Sequence, residues 1–483
     1  MGKFYITTTL PYVNSKPHIG FALEIIQADV IARYHRILGD EVFFNTGTDE
    51  HGVKIYRKAK EKGISTQEFC DINANEFKKL KEGLNLSYDN FIRTTDPDHI
   101  KAAQEFWQRC EDNGDIYKKN YKIKYCAGCE LEKTESELVN GKCPLHPNQE
   151  LEVIEEENYF FRYSKYQEKL LDLYENNPEF VLPKSRLGEI REFTKKGLKD
   201  FSISRLKEKM SWGISVPGDE TQVMYVWFDA LVNYISCLGW PDDLKRFNAF
   251  WPGMQVAGKD NLRQQSSMWQ SMLMSAGIKS STQIFIHGFI TSNHKKMSKS
   301  LGNIVDPFEV VEKYGIDAVR YFLLREISPT EDGDFTYDKF ELRYNSDLAK
   351  GLGNLVSRTT TMADELNLNS LTLNSKIQEV ISNGYEKYRK ALDSFKFNEG
   401  LMAIWELITF CDRLIEKEKP WEDLQGKKQT IFDLIFLLKN IALMLNPFLP
   451  DTSEKILDQI GVKEDSKSNS FKVKKGKSLF PRI

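Results

Sequence analysis

Residues 4–10 read Phe-Tyr-Ile-Thr-Thr-Thr-Leu, an aromatic and β-branched run that predicts a strand. Pro11 ends it, and Asn14-Ser15-Lys16-Pro17 has the chemistry of a turn. From His18 to Leu38 the period changes. Ala22, Ile25, Ile26, Val30 and Ile37 recur at helical spacing, with Asp29 as a charged exception. Gly39-Asp40 closes that helix, residues 41–45 predict a second strand, and Thr46-Gly47-Thr48-Asp49-Glu50-His51-Gly52 leads into another helix. This βαβ order predicts a parallel sheet with its ligand at the carboxyl ends of the strands. Between about 116 and 225 the alternation is lost, and the segment, rich in Tyr, Glu and Lys, reads as an inserted domain. The α/β pattern resumes at Tyr225-Val226-Trp227-Phe228, with a further strand at 283–287. After about residue 345 it is helical throughout, over 347–366, 376–395, 398–419 and 428–444, which predicts an appended bundle.

Composition narrows the picture without deciding it. The 483 residues exceed one compact domain, and 41% hydrophobic with 28% charged residues describes a globular chain. No apolar run approaches the ~20 residues that span a bilayer, and the opening residues are too short and interrupted for a signal peptide. The expectation is a cytoplasmic protein with no membrane partner. A net charge of −3 excludes a protein that coats nucleic acid nonspecifically, but not one with a local basic surface. Lysines crowd 194–199 and 472–477, where a solvated face is the plainer reading. Seven cysteines, four of them scattered, speak against a disulfide framework.

The other three cysteines cluster. Cys126-Ala127-Gly128-Cys129 and Cys143-Pro144-Leu145-His146 give C-x₂-C followed by C-x₂-H, two close pairs that can meet tetrahedrally at one Zn²⁺. Three thiolates and an imidazole leave no open position, so the zinc is expected to be structural. Two further motifs stand far apart. His18-Ile19-Gly20-Phe21 opens a helix, where unpaired backbone N–H groups attract phosphate and a glycine permits close approach. Lys296-Met297-Ser298-Lys299-Ser300 lies in loop composition, and two ammonium groups there suit the charge that builds on a leaving pyrophosphate. Candidates for an amino-acid pocket follow the strands: Leu10 and Tyr12 after the first, Asp49 after the second. Trp227, Ala230 and Tyr234 (i, i+3, i+7) would share a helical face, as would Asn261, Gln265 and Trp269 (i, i+4, i+8).

In this combination, from Thr7 to the terminus, the chain resembles the class I aminoacyl-tRNA synthetases, and Trp227-Phe228-Asp229-Ala230 narrows the resemblance to methionyl-tRNA synthetase. The resemblance implies a Rossmann-like catalytic domain split into 1–115 and 226–290, a connective insertion with one zinc knuckle over 116–225, a lysine-loop and stem-contact region over 291–345, and an anticodon-binding bundle over 346–483. It implies that His18, Gly20, Lys296 and Lys299 serve ATP, carried with Mg²⁺, and that Gly258 and Asp260 of Gly258-Lys259-Asp260 hold the ribose. Asp49 would bind the ammonium of L-methionine, with Tyr12, Trp227, Tyr234 and Trp269 around its side chain. Two positions depart from the family pattern: Phe21 replaces a second histidine, and Gln265 stands where many members place a histidine near the sulfur. By the same resemblance Asn354, Arg358 and Trp421 would read the CAU anticodon of tRNA(Met). With no room for a C-terminal dimerisation module, a monomer is expected. The rival readings are a synthetase-like RNA-binding protein without turnover, supported by Phe21 and Gln265, and a small-metabolite nucleotidyltransferase, which has no use for a zinc insertion.

Overall fold

In the computed structural model of the chain, residues 2–129, 131–133, 137–297, 302–364, 366–368, 371–462 and 470–483 are described. Six parallel strands form the central sheet, in the spatial order Asn90–Arg93, Glu41–Thr48, Lys3–Thr8, Met254–Gly258, Gln283–His287 and Val181–Leu182. The inner strands are buried along most of their length because helices cover both faces, the condition under which parallel sheets persist. On one face the helix Ile19–Ile37 shares a continuous apolar core with the C-terminal bundle. On the other lie the helix Pro97–Asp112 and the aromatic segments that follow residue 225.

The insertion is built on an antiparallel sheet, Leu131–Lys133, Ile116–Cys126, Glu152–Phe161 and Phe201–Ser202 in order, with the cysteine pairs at the far end of its long hairpin. It is not a clean excursion from 116 to 225. Val181–Leu182, inside that range, pairs with Ile284 and Phe285 as the edge strand of the main sheet, and two residues are too few to register as a period.

The lysine motif, expected in a loop, begins in regular structure among the described residues. Ile290–Ser292 and Lys295–Lys296 form a hairpin closed by Asn293 and His294, both at positive φ (52° and 59°), as a type I′ turn demands. Helices Pro307–Tyr314, Ile316–Arg325 and Tyr337–Arg343 follow. In the bundle, Ser375–Asp393, Phe397–Glu418 and Lys428–Leu445 match the predicted helices closely. The first predicted helix is two, a π-helical stretch Tyr344–Gly353 continuing into Asn354–Ala363, and Pro450–Ile460 adds a last helix.

Candidate functional site

Sheet topology brings the first candidates together. Leu10, Tyr12, Asp49, Gly258 and Asp260 all end or follow three adjacent strands at their carboxyl edge. Tyr12 and Asp49 pair as a short parallel bridge, with the Asp49 amide donating to the Pro11 carbonyl at 3.0 Å and the Val13 amide to the Asp49 carbonyl at 3.2 Å. Neighbouring loop residues are held by buried charge. Glu50 accepts from Arg93 through both carboxylate oxygens (2.7 and 2.8 Å) and from Thr48 and Thr95. Asp229 accepts from His51 at 2.9 Å and His99 at 3.2 Å; burial opposes its charge, but the two imidazoles hold its carboxyl below the usual range.

His18 is the N-cap of the first helix, its Nδ1 accepting from the Gly20 amide at 3.1 Å. A Cβ on Gly20 would stand 3.0 Å from that imidazole, so any larger residue would press the ring out of its present position. The surrounding walls disfavour the charged imidazole and lower its pKa. The remaining first-turn amides are also engaged: Ile19 donates to the Val305 carbonyl at 3.0 Å, and Phe21 and Ala22 to the His18 carbonyl at 3.0 and 3.2 Å. The expectation of free helix-start amides is therefore corrected: each of these amides already has an acceptor within the protein. Phe21 meets Phe77 edge-on at 5.4 Å and packs on the core.

The lysine motif reaches the same place. Met297 Cε lies 3.7 Å from where a Gly20 Cβ would stand, and Val305 beyond the motif is bonded to Ile19. Lys296 lies in the hairpin strand Lys295–Lys296; Lys299 lies outside the described residues. Across the sheet edge, a Cβ on Gly258 would stand 2.8 Å from Asp260 Oδ1 and 3.6 Å from His287 Cε1. This contact brings in two residues the sequence reading missed. Glu24 is buried on the first helix; one carboxylate oxygen accepts from the Thr9 amide at 2.8 Å and the other lies 2.9 Å from His287 Nε2. His287 Nδ1 donates to the Gly288 carbonyl at 2.7 Å. Burial lowers the His287 pKa, but the Glu24 hydrogen bond and charge, with the Gly288 carbonyl and Asp260, raise it on balance. Glu24 stands one turn beyond Gly20 on the helical face turned toward the sheet, and a charge there was the available signal.

In the aromatic pocket two helical-face expectations need correction. Trp227, Ala230 and Tyr234 do not share one helix, since Val226–Ala230 and Asn233–Ser236 are separate short turns. Asn261, Gln265 and Trp269 are divided among a 3₁₀ turn, a π-helical turn and an α-helix. Gln265 and Trp269 still converge: Gln265 Nε2 donates to the Tyr234 hydroxyl at 2.7 Å, and Trp269 meets Tyr234 edge-on at 5.9 Å. Trp269 is fully buried and stacks on Phe106 at 5.5 Å, so it joins Phe106 and Tyr234 in one aromatic cluster. Leu10, Tyr12, Trp227 and Ala230 remain partly exposed, and Asn261 sits outside beside Asp260.

The ligand atoms of Cys126, Cys129, Cys143 and His146 lie within 4.8 Å of one another, with Nδ1 the imidazole atom turned inward. Cys129 Sγ is 3.4 Å from Cys143 Sγ and 3.2 Å from His146 Nδ1. Zinc bonds of about 2.0–2.3 Å make tetrahedral edges of about 3.3–3.8 Å, close to the 3.2, 3.7 and 3.9 Å from His146 Nδ1 to the three sulfurs and the 3.4 Å between Cys129 and Cys143. A Cβ on Gly128 would stand 2.5 Å from the His146 ring, so the knuckle closes only over glycine. Burial raises the Cys143 thiol, but hydrogen bonds from His146, Cys129 and two backbone amides bring it down to about 6, toward the thiolate a metal needs.

Comparisons with known proteins bear on all of this. A family model described as tRNA synthetases class I (M) matches residues 4–152 and 135–360, and one described as anticodon-binding domain of tRNA ligase matches 374–479. The methionine–tRNA ligase of Caldanaerobacter subterraneus subsp. tengcongensis is 41% identical over 99% of this chain and 79% of its own length. That of Rickettsia bellii is 42% identical over 96% and 94%. Mycobacterium tuberculosis methionyl-tRNA synthetase in complex with methionyl-adenylate superimposes with a TM-score of 0.95 at 36% identity, covering 100% of both chains. The chain belongs to the methionyl-tRNA synthetase family. The free form of the same M. tuberculosis enzyme superimposes with a TM-score of 0.87 at 34% identity, over 100% of this chain and 98% of that one.

For a methionyl-tRNA synthetase the outer end of the bundle also matters. Asn354 and Arg358 lie one turn apart on Asn354–Ala363, and the Arg358 guanidinium is 5.7 Å from the ring centre of Trp421, which is 48% exposed. Lys419, at φ 47°, ends the helix Phe397–Glu418 in the left-handed conformation, and Pro420 then turns the chain so that the indole stands out from the surface. These three are brought together across two helices, which no spacing in the sequence shows.

Proposed function

We propose that the protein is a methionine–tRNA ligase, which activates L-methionine with ATP and transfers it to the 3′ end of tRNA(Met). The observation that carries the reading is the meeting of the His18–Phe21 helix start with Met297 and Val305 of the lysine segment, beside Asp49 and the Tyr234 pocket. In the first step a carboxylate oxygen of methionine attacks the α-phosphorus of ATP, the bond to the bridging oxygen breaks, and pyrophosphate leaves with the electron pair. Mg²⁺ carried with ATP screens the phosphate charge. His18, Lys296 and Lys299 would contact the phosphates, Gly258 and Asp260 the ribose, and Asp49 the methionine ammonium. In the second step a terminal ribose hydroxyl of the tRNA attacks the acyl carbon, loses its proton, and AMP departs. The substrate carboxylate is already a nucleophile, so no covalent enzyme intermediate is required. Asn354, Arg358 and Trp421 would read the CAU anticodon, and Cys126, Cys129, Cys143 and His146 would hold one structural Zn²⁺. The protein would work in the cytoplasm as a monomer; no helix among the described residues is long and apolar enough to cross a membrane. The domain limits read from sequence are part of this reading, with Val181–Leu182 assigned to the catalytic sheet because it pairs there.

Methionine-dependent ATP–pyrophosphate exchange tests the reading, with leucine, valine, cysteine and homocysteine in parallel. Exchange with methionine alone is expected. Exchange with another amino acid would reassign the pocket, and no exchange by zinc-loaded protein would favour an RNA-binding protein that has lost turnover.

A further inference from the structure

Asp29, the charged exception in the apolar stripe of the first helix, is fully buried, and so is Arg320 of the helix Ile316–Arg325. Every N–H of the Arg320 guanidinium is used. Nε donates to the Phe448 carbonyl at 2.7 Å, Nη1 to those of Leu84 and Asn85 at 3.0 and 3.3 Å, and Nη2 to Asp29 Oδ2 at 2.8 Å and the Pro447 carbonyl at 2.9 Å. Asp29 is equally satisfied: Arg33 shares Oδ2 at 2.8 Å, and the Ser87 amide and hydroxyl both donate to Oδ1 at 2.7 Å. Four separate chain segments thus meet at one ion pair. Removing two charges from water is costly, and a hydrophobic pair would hold a core as well, so a buried pair of this completeness points to geometric definition rather than stability.

The segments it joins are the two ends of the reaction. Asp29 is on the helix capped by His18, eleven residues or about 16 Å along the axis. Pro447 and Phe448 follow the C-terminus of the 18-residue helix Lys428–Leu445, whose other end, about 27 Å away, follows the turn that carries Trp421. On the reading given under Proposed function, we propose that Arg320 with Asp29 is a positioning joint of aminoacylation. It fixes the angle between the anticodon-reading bundle and the ATP-binding helix, so that a tRNA held at Trp421 presents its 3′ end to the adenylate. It touches neither substrate and plays no part in forming the adenylate.

The test is Arg320→Lys in the full-length protein. Lysine keeps the charge beside Asp29, but its three donors leave some of the buried carbonyls unbonded. Methionine-dependent exchange, which uses no tRNA, is expected to stay within about threefold of wild type, and the KM for tRNA likewise. The kcat for charging tRNA should fall about a hundredfold, the cost of an ångström-scale misplacement of reacting groups. Unchanged charging would overturn the proposal. So would a parallel loss of exchange and charging in a variant that melts like wild type, because a general structural role moves both. If Arg320→Lys does not fold, Asp451→Ala decides instead: it removes the Asn85–Asp451 hydrogen bond at the partly exposed rim of the joint, together with a first-turn charge of the helix Pro450–Ile460, and the same split, smaller, is required of it. A wild-type protein without methionine-dependent exchange defeats the proposed function itself, whereas normal charging by the variants defeats only the joint.

Discussion

Phe21 occupies a position where the family pattern has a second histidine, and its surroundings say what the change does. Its ring meets Phe77 edge-on, a pair that contributes about 1 kcal/mol beyond area burial. Phe21→His should therefore destabilise the protein by about that amount in urea unfolding, and also alter the KM for ATP if the new imidazole reaches phosphate. A change in KM with no loss of stability would show that the ring leans toward the nucleotide instead. His287 allows a sharper test, because its folded pKa is raised above its ordinary value by Glu24 despite burial. A raised pKa means the protonated form is favoured by folding, so the contribution is complete below about pH 6.5 and is lost as pH climbs through the folded value. The stability difference between wild type and His287→Gln should be larger at pH 6 than at pH 9; a pH-independent difference would mean the pair is uncharged. Neither partner was visible in the sequence as a pair. Their link depends on the parallel sheet setting the end of Gln283–His287 beside the first helix, which no local pattern encodes.

At the scale of elements, what the sequence conveyed depends on length and period. The helices Ile19–Ile37 and Phe397–Glu418 are long and periodic, and both were legible almost to the residue. The segment after Tyr225 was not, because aromatic residues at helical spacing fit one helix as well as two broken turns, and tertiary packing around Tyr234 decides between them. The cluster of Cys126, Cys129, Cys143 and His146 was legible for a different reason: the C-x₂-C and C-x₂-H spacing is that of a metal site, set by coordination chemistry rather than by packing. Cys143→Ser should lower bound zinc from about one per chain to near none, measured by atomic absorption. Melting of the insertion should shift while methionine-dependent exchange survives, since the catalytic sheet takes no residue from the knuckle. Unchanged zinc content would assign the metal to other ligands.

The whole molecule is one body in its packing, with bundle and catalytic helix sharing a single apolar core, yet its proposed chemistry sits at two ends. That separation predicts how a substitution at one end should read at the other. Trp421 is 48% exposed and lies across from Arg358, so truncating it removes little core packing. Stacking of an unpaired base on an aromatic ring contributes about 1–3 kcal/mol, which corresponds to a loss of roughly 5- to 150-fold in affinity. Trp421→Ala should weaken kcat/KM for tRNA(Met) within that range, chiefly through KM, and leave methionine-dependent exchange and the melting temperature near wild type. Arg320→Lys acts between the ends and should instead lower kcat. The two variants separate holding the tRNA from aiming it, and their double mutant should show additive losses if the joint does no more than orient the bundle. Losses smaller than additive would mean that anticodon contact is itself transmitted through Arg320, because removing either then disables the same step.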